Sequence, residues 1–219
     1  MFLSPAEVEP FMSNDKEERR IIKPGEFFMD PMARIVGNVV IGNGSTIWPG
    51  VTVEGDETKI GEEVIVMPRA QIGDNTMIGD RAFISPDAKL NGCRIGDNSF
   101  VGMGAVIGEG VVIGEGSVIS HDSIIPDGTK IPANSLVSGT PATVEGTVTD
   151  DMMNKISEIR SLLDWEREEV KIMLKRGELF GVDDIPERPE DIYNEFKDGK
   201  DGDLVEREKK FLKMFGLDI

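Results

Sequence analysis

Aliphatic side chains recur in this chain with a period of six. From Ile35 the series runs Ile41, Ile47, Val53, Ile60, Val66, Ile72, Ile78, Ile84, Leu90, Ile95, Val101, Ile107, Ile113, Ile119, Ile125, Ile131 and Val137, and all eighteen positions hold Ile, Val or Leu. Two steps depart from six: Val53 to Ile60 is seven and Leu90 to Ile95 is five. The residue two before each of these is small or β-branched, as at Ser45, Val51, Ala70, Ala82, Cys93 and Ser117, and glycine often follows, as at Gly42, Gly61, Gly79 and Gly96. A helix repeats near 3.6 and a strand at 2, so a sustained period of six describes a short strand and a corner, repeated.

A six-residue unit cannot bury its own aliphatic side chain. Units stacked as a prism give each inward Ile a neighbour above and below, which turns the series into a continuous core. With three faces per coil, eighteen units make about six coils, so the expected fold class is mainly β: a parallel β-helix over residues 27–146. Thr149 followed by two aspartates reads as a helix N-cap, and Met152, Ile156, Ile159, Leu163, Val170 and Met173 share one helical face, which predicts a long amphipathic helix over 147–177. Residues 178–219 read as an extension of short helices punctuated by Pro and Gly, a possible surface for a protein partner, and residues 1–26 as an N-terminal extension.

The net charge of −17, from 41 acids against 24 bases, repels phosphate backbones and anionic lipid surfaces. Neither nucleic acid nor membrane is an expected partner. No apolar run approaches the roughly 18 residues of a spanning helix, and the N-terminal stretch carries charges and proline where a signal peptide has its apolar core. With one cysteine there is no intrachain disulfide, and the expected location is the cytoplasm.

Four segments carry a family resemblance: "FFMDPMARIVGNVVIG" (27–42), "TIWPGVTVEGD" (46–56), "LNGCRIGDNSFVGMGAV" (90–106) and "IPANSLVSGTPA" (131–142). The chain resembles the γ-class carbonic anhydrases of the hexapeptide-repeat superfamily. That resemblance implies a left-handed helix, a homotrimer, and a zinc or iron ion held between subunits by three histidines. The matching histidine positions fall on Pro86 and Asn91, and the first belongs near 69–74, where no histidine occurs. Of the family's Arg-Gly-Asp motif, Glu54 replaces the arginine and Asp56 is retained; Ile65 and Met67 stand where the family has pocket amides. Proline has no ligand atom and a neutral amide is a poor zinc or iron ligand. No metal cofactor is therefore expected, and without the ion nothing lowers the pKa of a bound water.

His121, the only histidine, lies in "SHDS". Beside Asp122, Ser120 and Ser123, it is a candidate general base for an acyltransferase using acetyl-CoA, as in other branches of the superfamily; the plainer alternative is a solvent-facing corner residue. Cys93 occupies the small inward position and reads as a packed, inert thiol. Glu54, Asp56, Glu57, Asp74, Asp80 and Asp87 are candidate ligands for a hard cation, or corner residues bonding their own backbone. The leading expectation is a trimeric binding or scaffold protein with a dismantled zinc site, or with other chemistry on a small molecule in the groove between subunits. The alternatives are the acyltransferase and a carbonic anhydrase with an unconventional ligand set.

Overall fold

A computed structural model describes residues 2–3, 27–30, 32–161 and 163. The hexads form a left-handed parallel β-helix of about six coils, with three sheets as the faces of a triangular prism. The first sheet holds Phe27–Met29, Thr46–Ile47, Ile65–Val66, Phe83–Ile84, Phe100–Val101, Val118–Ile119 and Ser135–Gly139. The second holds Arg34–Val36, Thr52–Glu54, Gln71–Ile72, Lys89–Leu90, Val106–Ile107 and Ile124–Ile125. The third holds Val39–Ile41, Thr58–Ile60, Met77–Ile78, Arg94–Ile95, Val112–Ile113 and Lys130–Ile131. The right-handed preference of parallel crossovers rests on twisted strands feeding a packed helix. Here the connections are corners of a few residues, so that preference has nothing to act on.

All eighteen aliphatic positions point inward as three columns of six, and Met29 begins the first column one coil earlier. Ile35, Val53, Ile72, Leu90, Ile107 and Ile125 stack in the second sheet, and Ile41, Ile60, Ile78, Ile95, Ile113 and Ile131 in the third. All belong to one buried cluster. The two irregular steps fall on the same edge, between the second and third sheets. The seven-residue step is absorbed at Gly55 and Glu57, both with positive φ. The five-residue step leaves Asn91, Gly92 and Cys93 as the whole corner, and register is regained at once because Ile95 still pairs with Ile78 and Ile113. Gly92 turns there at φ 56°, its N–H reaching both the Asp74 carbonyl (3.0 Å) and Thr76 Oγ1 (3.1 Å).

The small inward positions hold hydroxyls that bond a carbonyl one coil away. Ser45 Oγ donates to Gly61 O at 2.8 Å, Ser99 Oγ to Gly114 O at 3.1 Å and Ser117 Oγ to Pro132 O at 2.9 Å. These bonds satisfy corner carbonyls that would otherwise face an apolar core. Both edges of the first sheet are covered antiparallel, by Phe2–Leu3 on Phe27–Met29 and by Ala142–Thr147 on Ser135–Gly139, so the solenoid does not end in bare strands on that face.

Thr149 caps the helix that follows, with Oγ1 accepting the Met152 N–H at 3.4 Å. The helix runs through 150–161, with Ile159 and Leu163 buried, which is the expected stripe. The expected continuation to 177 and the short helices of 178–219 lie outside the described residues. Among the described residues no helix is long and apolar enough to cross a membrane.

Coil-to-coil spacing also explains the glycines after the aliphatic positions. A Cβ on Gly42 meets the Gly61 carbonyl carbon and oxygen at 2.5 Å, whereas one on Gly128, at φ 69°, meets nothing within 4 Å. Gly42→Ala must push two coils apart and is expected to cost about 2–3 kcal/mol. Gly128→Ala carries only the backbone penalty of about 1–2 kcal/mol. Denaturant melts of the two variants check the order, and equal losses would contradict the stacking account.

Candidate functional site

The corners are where this fold can present chemistry, because inward positions are buried. At the edge between the first and second sheets, successive coils place Pro49, Pro68, Pro86, Met103 and His121 in one column. Backbone bonds fix that column: Arg69 N–H to Pro49 O, Asp87 N–H to Pro68 O, Gly104 N–H to Pro86 O and Asp122 N–H to Met103 O, at 2.8–3.1 Å. Pro86 thus shares an edge with His121 but lies two coils below it, roughly 10 Å at the usual strand spacing. Asn91 lies on a different edge, at the other end of Lys89–Leu90. Within one chain the two positions matching family ligands do not meet, and His121 cannot stand in for either.

Asn91 also has a structural job. Its Oδ1 sits directly over Gly73, in the space a Cβ there would fill. Asp80 sits over Gly61, Asp97 over Gly79 and Asp127 over Gly108 in the same manner. Three of these carboxylates accept a backbone N–H of the coil before: Asp80 Oδ1 from Glu62 (2.8 Å), Asp97 Oδ1 from Asp80 (2.9 Å) and Asp127 Oδ1 from Glu109 (2.9 Å). Asp74 Oδ1 accepts from Asn75 N–H at 2.9 Å, and Asp87 holds Arg69 through two bonds of 2.8 and 2.6 Å. Of the acids considered as cation ligands, Asp74, Asp80 and Asp87 are thus engaged at corners, in bonds to backbone or to Arg69. Among the described residues no group of three or more histidine, cysteine, aspartate or glutamate side chains lies close enough to share a metal ion.

His121 takes the same acceptor role. Its Nδ1 accepts the Met103 N–H at 3.0 Å, and its ring meets the Phe100 ring edge-on, centroids 6.5 Å apart. A neutral imidazole that accepts at Nδ1 carries its proton on Nε2, so Nε2 has no lone pair to take a proton from a substrate. The resting geometry is that of a donor at Nε2, the wrong state for the general base of acyl transfer. Of its flanking residues, Asp122 is a left-handed corner residue at φ 53°, and Ser123 is buried. Desolvation against the corner lowers the His121 pKa, with Asp122 opposing.

Asp56, the retained motif residue, is exposed, and Glu54 beside it lies on the outer side of the second sheet. Ile65 and Met67 are 3% and 5% exposed, so the positions matching pocket amides are apolar and buried. Ile65 belongs to a column the sequence reading missed, the outward face of the first sheet. Phe28, Thr46, Ile65, Phe83, Phe100 and Val118 are all buried there, with Phe83 and Phe100 stacked at 5.2 Å. Their signal was available one residue before each aliphatic position, in every third hexad. Cys93 is fully buried, and burial pushes its thiol up to about 12.

A prism of six stacked coils with its chemistry confined to the edges defines a hexapeptide-repeat β-helix protein. Comparison with known proteins narrows this. Residues 55–156 match the family model described as the GMPPB C-terminal domain. The chain is 44% identical over 132 residues to a "Probable carbonic anhydrase" of Methanocaldococcus jannaschii, covering 58% of this chain and 83% of that one. It is 32% identical over 145 residues to the mitochondrial γ carbonic anhydrase 2 of Arabidopsis thaliana, covering 61% of this chain and about half (52%) of that relative. Among solved structures, a proposed acetyltransferase of Bacillus cereus superposes with a TM-score of 0.61 at 24% identity, over 73% of this chain and 95% of the other, a likeness of fold. The chain belongs to the γ-carbonic anhydrase-like family of hexapeptide-repeat proteins.

Two measurements follow. A thiol with pKa about 12 is ionised in only ~1 molecule in 10,000 at pH 8, so a thiol reagent should leave folded Cys93 unlabelled for hours and react within minutes in denaturant. Fast labelling of the native protein would contradict the packing. For His121 the folded pKa lies below the unfolded value of about 6.5, so the unfolded chain protonates first. Its contribution to stability is complete above that value and is lost as pH falls through it. Between pH 7.5 and 5 the wild-type melting temperature should fall more than that of His121→Asn, whose amide oxygen can accept from Met103 without titrating; parallel curves would refute the assignment.

Proposed function

We propose that this protein is a homotrimeric, γ-carbonic anhydrase-like binding or scaffold protein whose zinc site has been dismantled. The observation that carries the reading is the state of the two positions that match family ligands. Pro86 is one of a column of edge residues and has no ligand atom. Asn91 is a corner residue whose Oδ1 lies over Gly73 of its own chain. The residues present do not fit a three-histidine metal site, and the apolar burial of Ile65 and Met67 removes the polar groups that would orient a small substrate. Carbon dioxide hydration by the metal route has no support in this donor set. Any small-molecule chemistry belongs to a groove between subunits.

Acyl transfer is the weaker reading. It needs a base, and the Nδ1 contact of His121 supports a corner role instead. The alternative of an unconventional metal set makes a different prediction from both.

Elemental analysis of untagged protein, combined with a carbon dioxide hydration assay, tests the leading reading. The expected result is less than about 0.1 equivalent of zinc, iron or cobalt per subunit and hydration no faster than buffer. Near-stoichiometric metal with measurable hydration would overturn it in favour of the unconventional set. For acyl transfer, acetyl-CoA turnover that is abolished in His121→Asn would revive the alternative.

A further inference from the structure

Charge is segregated on this prism in a way that neither the fold nor the family reading requires. Residues 27–148 contain seven Lys and Arg. Arg69 and Arg81 lie on edges and pair with Asp87 and Glu63. The other five stand on the outer faces of the second and third sheets, and three of them share one column. The outward column of the third sheet, fixed by strand register, reads Val40, Lys59, Met77, Arg94, Val112, Lys130. Apolar side chains alternate with cations, and no acid interrupts them. Lys59, Arg94 and Lys130 are exposed and none forms an ion pair with another described residue, while Val112 keeps 37% of its surface in solvent.

Rows of acids flank this stripe. Glu62, Asp80, Asp97 and Glu115 stand exposed on four successive coils of the edge shared with the first sheet. Backbone bonds stack them, from Arg81 N–H to Glu62 O, Asn98 N–H to Asp80 O and Gly116 N–H to Asp97 O, at 2.7–2.8 Å. The edge shared with the second sheet carries Asp56, Asp74, Glu109 and Asp127. In the trimer reading Pro86 and Asn91 mark both edges of the second sheet as subunit contacts, which leaves the outer face of the third sheet and its row toward the first sheet to a different molecule. A nucleic acid or a uniformly acidic segment laid on the stripe is repelled by that row. A partner that fits carries acids on one line and bases on the line beside it.

We propose that the outer face of the third sheet docks an amphipathic helix of another protein, one with an acid at every seventh position, an aliphatic residue three positions after each acid and a base one position further. Spacing selects a helix. Cations on every second coil stand about 9.6 Å apart at the usual strand spacing, and seven helical residues rise about 10.5 Å. The mismatch of about 1 Å per interval lies within the swing of Lys and Arg side chains. An extended segment matches the distance with every third residue, but alternate acids then point away from the sheet. Helical residues three and four apart share a face, so the aliphatic residues meet Val40, Met77 and Val112 while the bases reach the acidic row. The inference rests on the scaffold reading only in supposing a protein partner, and adds the surface and the partner's pattern.

The test is fluorescence anisotropy with the full chain and a labelled synthetic helix of about three such heptads. A second peptide with its acids and bases exchanged has the same composition and net charge. The expected result is saturable binding of the first peptide, at least ~10-fold tighter than the second and weakening as salt is added. Lys59→Glu, Arg94→Glu and Lys130→Glu combined should weaken it at least ~100-fold. If circular dichroism shows that variant to be misfolded, Arg94→Glu alone should weaken it roughly tenfold. No binding, equal binding of the two peptides, or binding indifferent to these substitutions overturns the inference. Zero-length cross-linking of the full chain reveals a competing occupant: high-yield links from Lys59 or Lys130 to acids outside residues 27–148, within one copy or between two, make this chain its own ligand and also overturn it. A failed titration leaves the metal and hydration results standing, so the two readings fall separately.

Discussion

Each coil of this protein must return the chain to a point one strand spacing above where it started, with an aliphatic side chain facing the one below. Every other feature yields to that condition. The core is a set of columns in which Ile, Val and Leu meet their own kind, so there is no alternative packing partner and no freedom to shift a strand by one residue without turning the column outward. The seven-residue and five-residue steps show how strict the condition is. One extra residue on one coil bulges at Gly55 and Glu57, one missing residue two coils later is taken from a corner, and the strands on either side stay in register.

The same condition makes the frame independent of what its corners bind. Corners are needed to turn the chain, whatever they bind. Side chains that accept a backbone N–H from the coil below stabilise such a turn, and Asp80, Asp97, Asp127 and His121 all do so. Asn91 occupies the equivalent place over its own glycine. At the three-residue corner, the exposed Asn91 side chain lies over Gly73 of the coil below.

Much of the fold was legible in the sequence because its contacts repeat at a fixed separation. The three columns, the inert position of Cys93 and the cap at Thr149 all followed from local spacing. The edge ladders were harder to see. Arg69 with Asp87 and Glu63 with Arg81 are 18 residues apart, as are Met103 and His121, so the hydrogen-bond partner of His121 lies one coil away and outside the span of its sequence neighbours. Neighbours along a corner point to different faces; neighbours one coil away share one. The buried outward column of Phe28, Ile65, Phe83 and Phe100 was missed for a related reason, since alternation along a two-residue strand does not say which of three outer faces is covered.

By itself, then, the sequence determined the coil, its register and the presence of a single histidine, His121, because each of these depends only on counting along the chain. The tertiary structure decided the chemistry of the edges: that Pro86 and Asn91 lie on different edges, that the His121 ring nitrogen is committed to a backbone amide, and that cations and acids are sorted onto faces and edges. Those outcomes depend on which residues stand above one another and which way each side chain leaves its corner. Direction in space is fixed only when the coils close, and no one-dimensional period contains it.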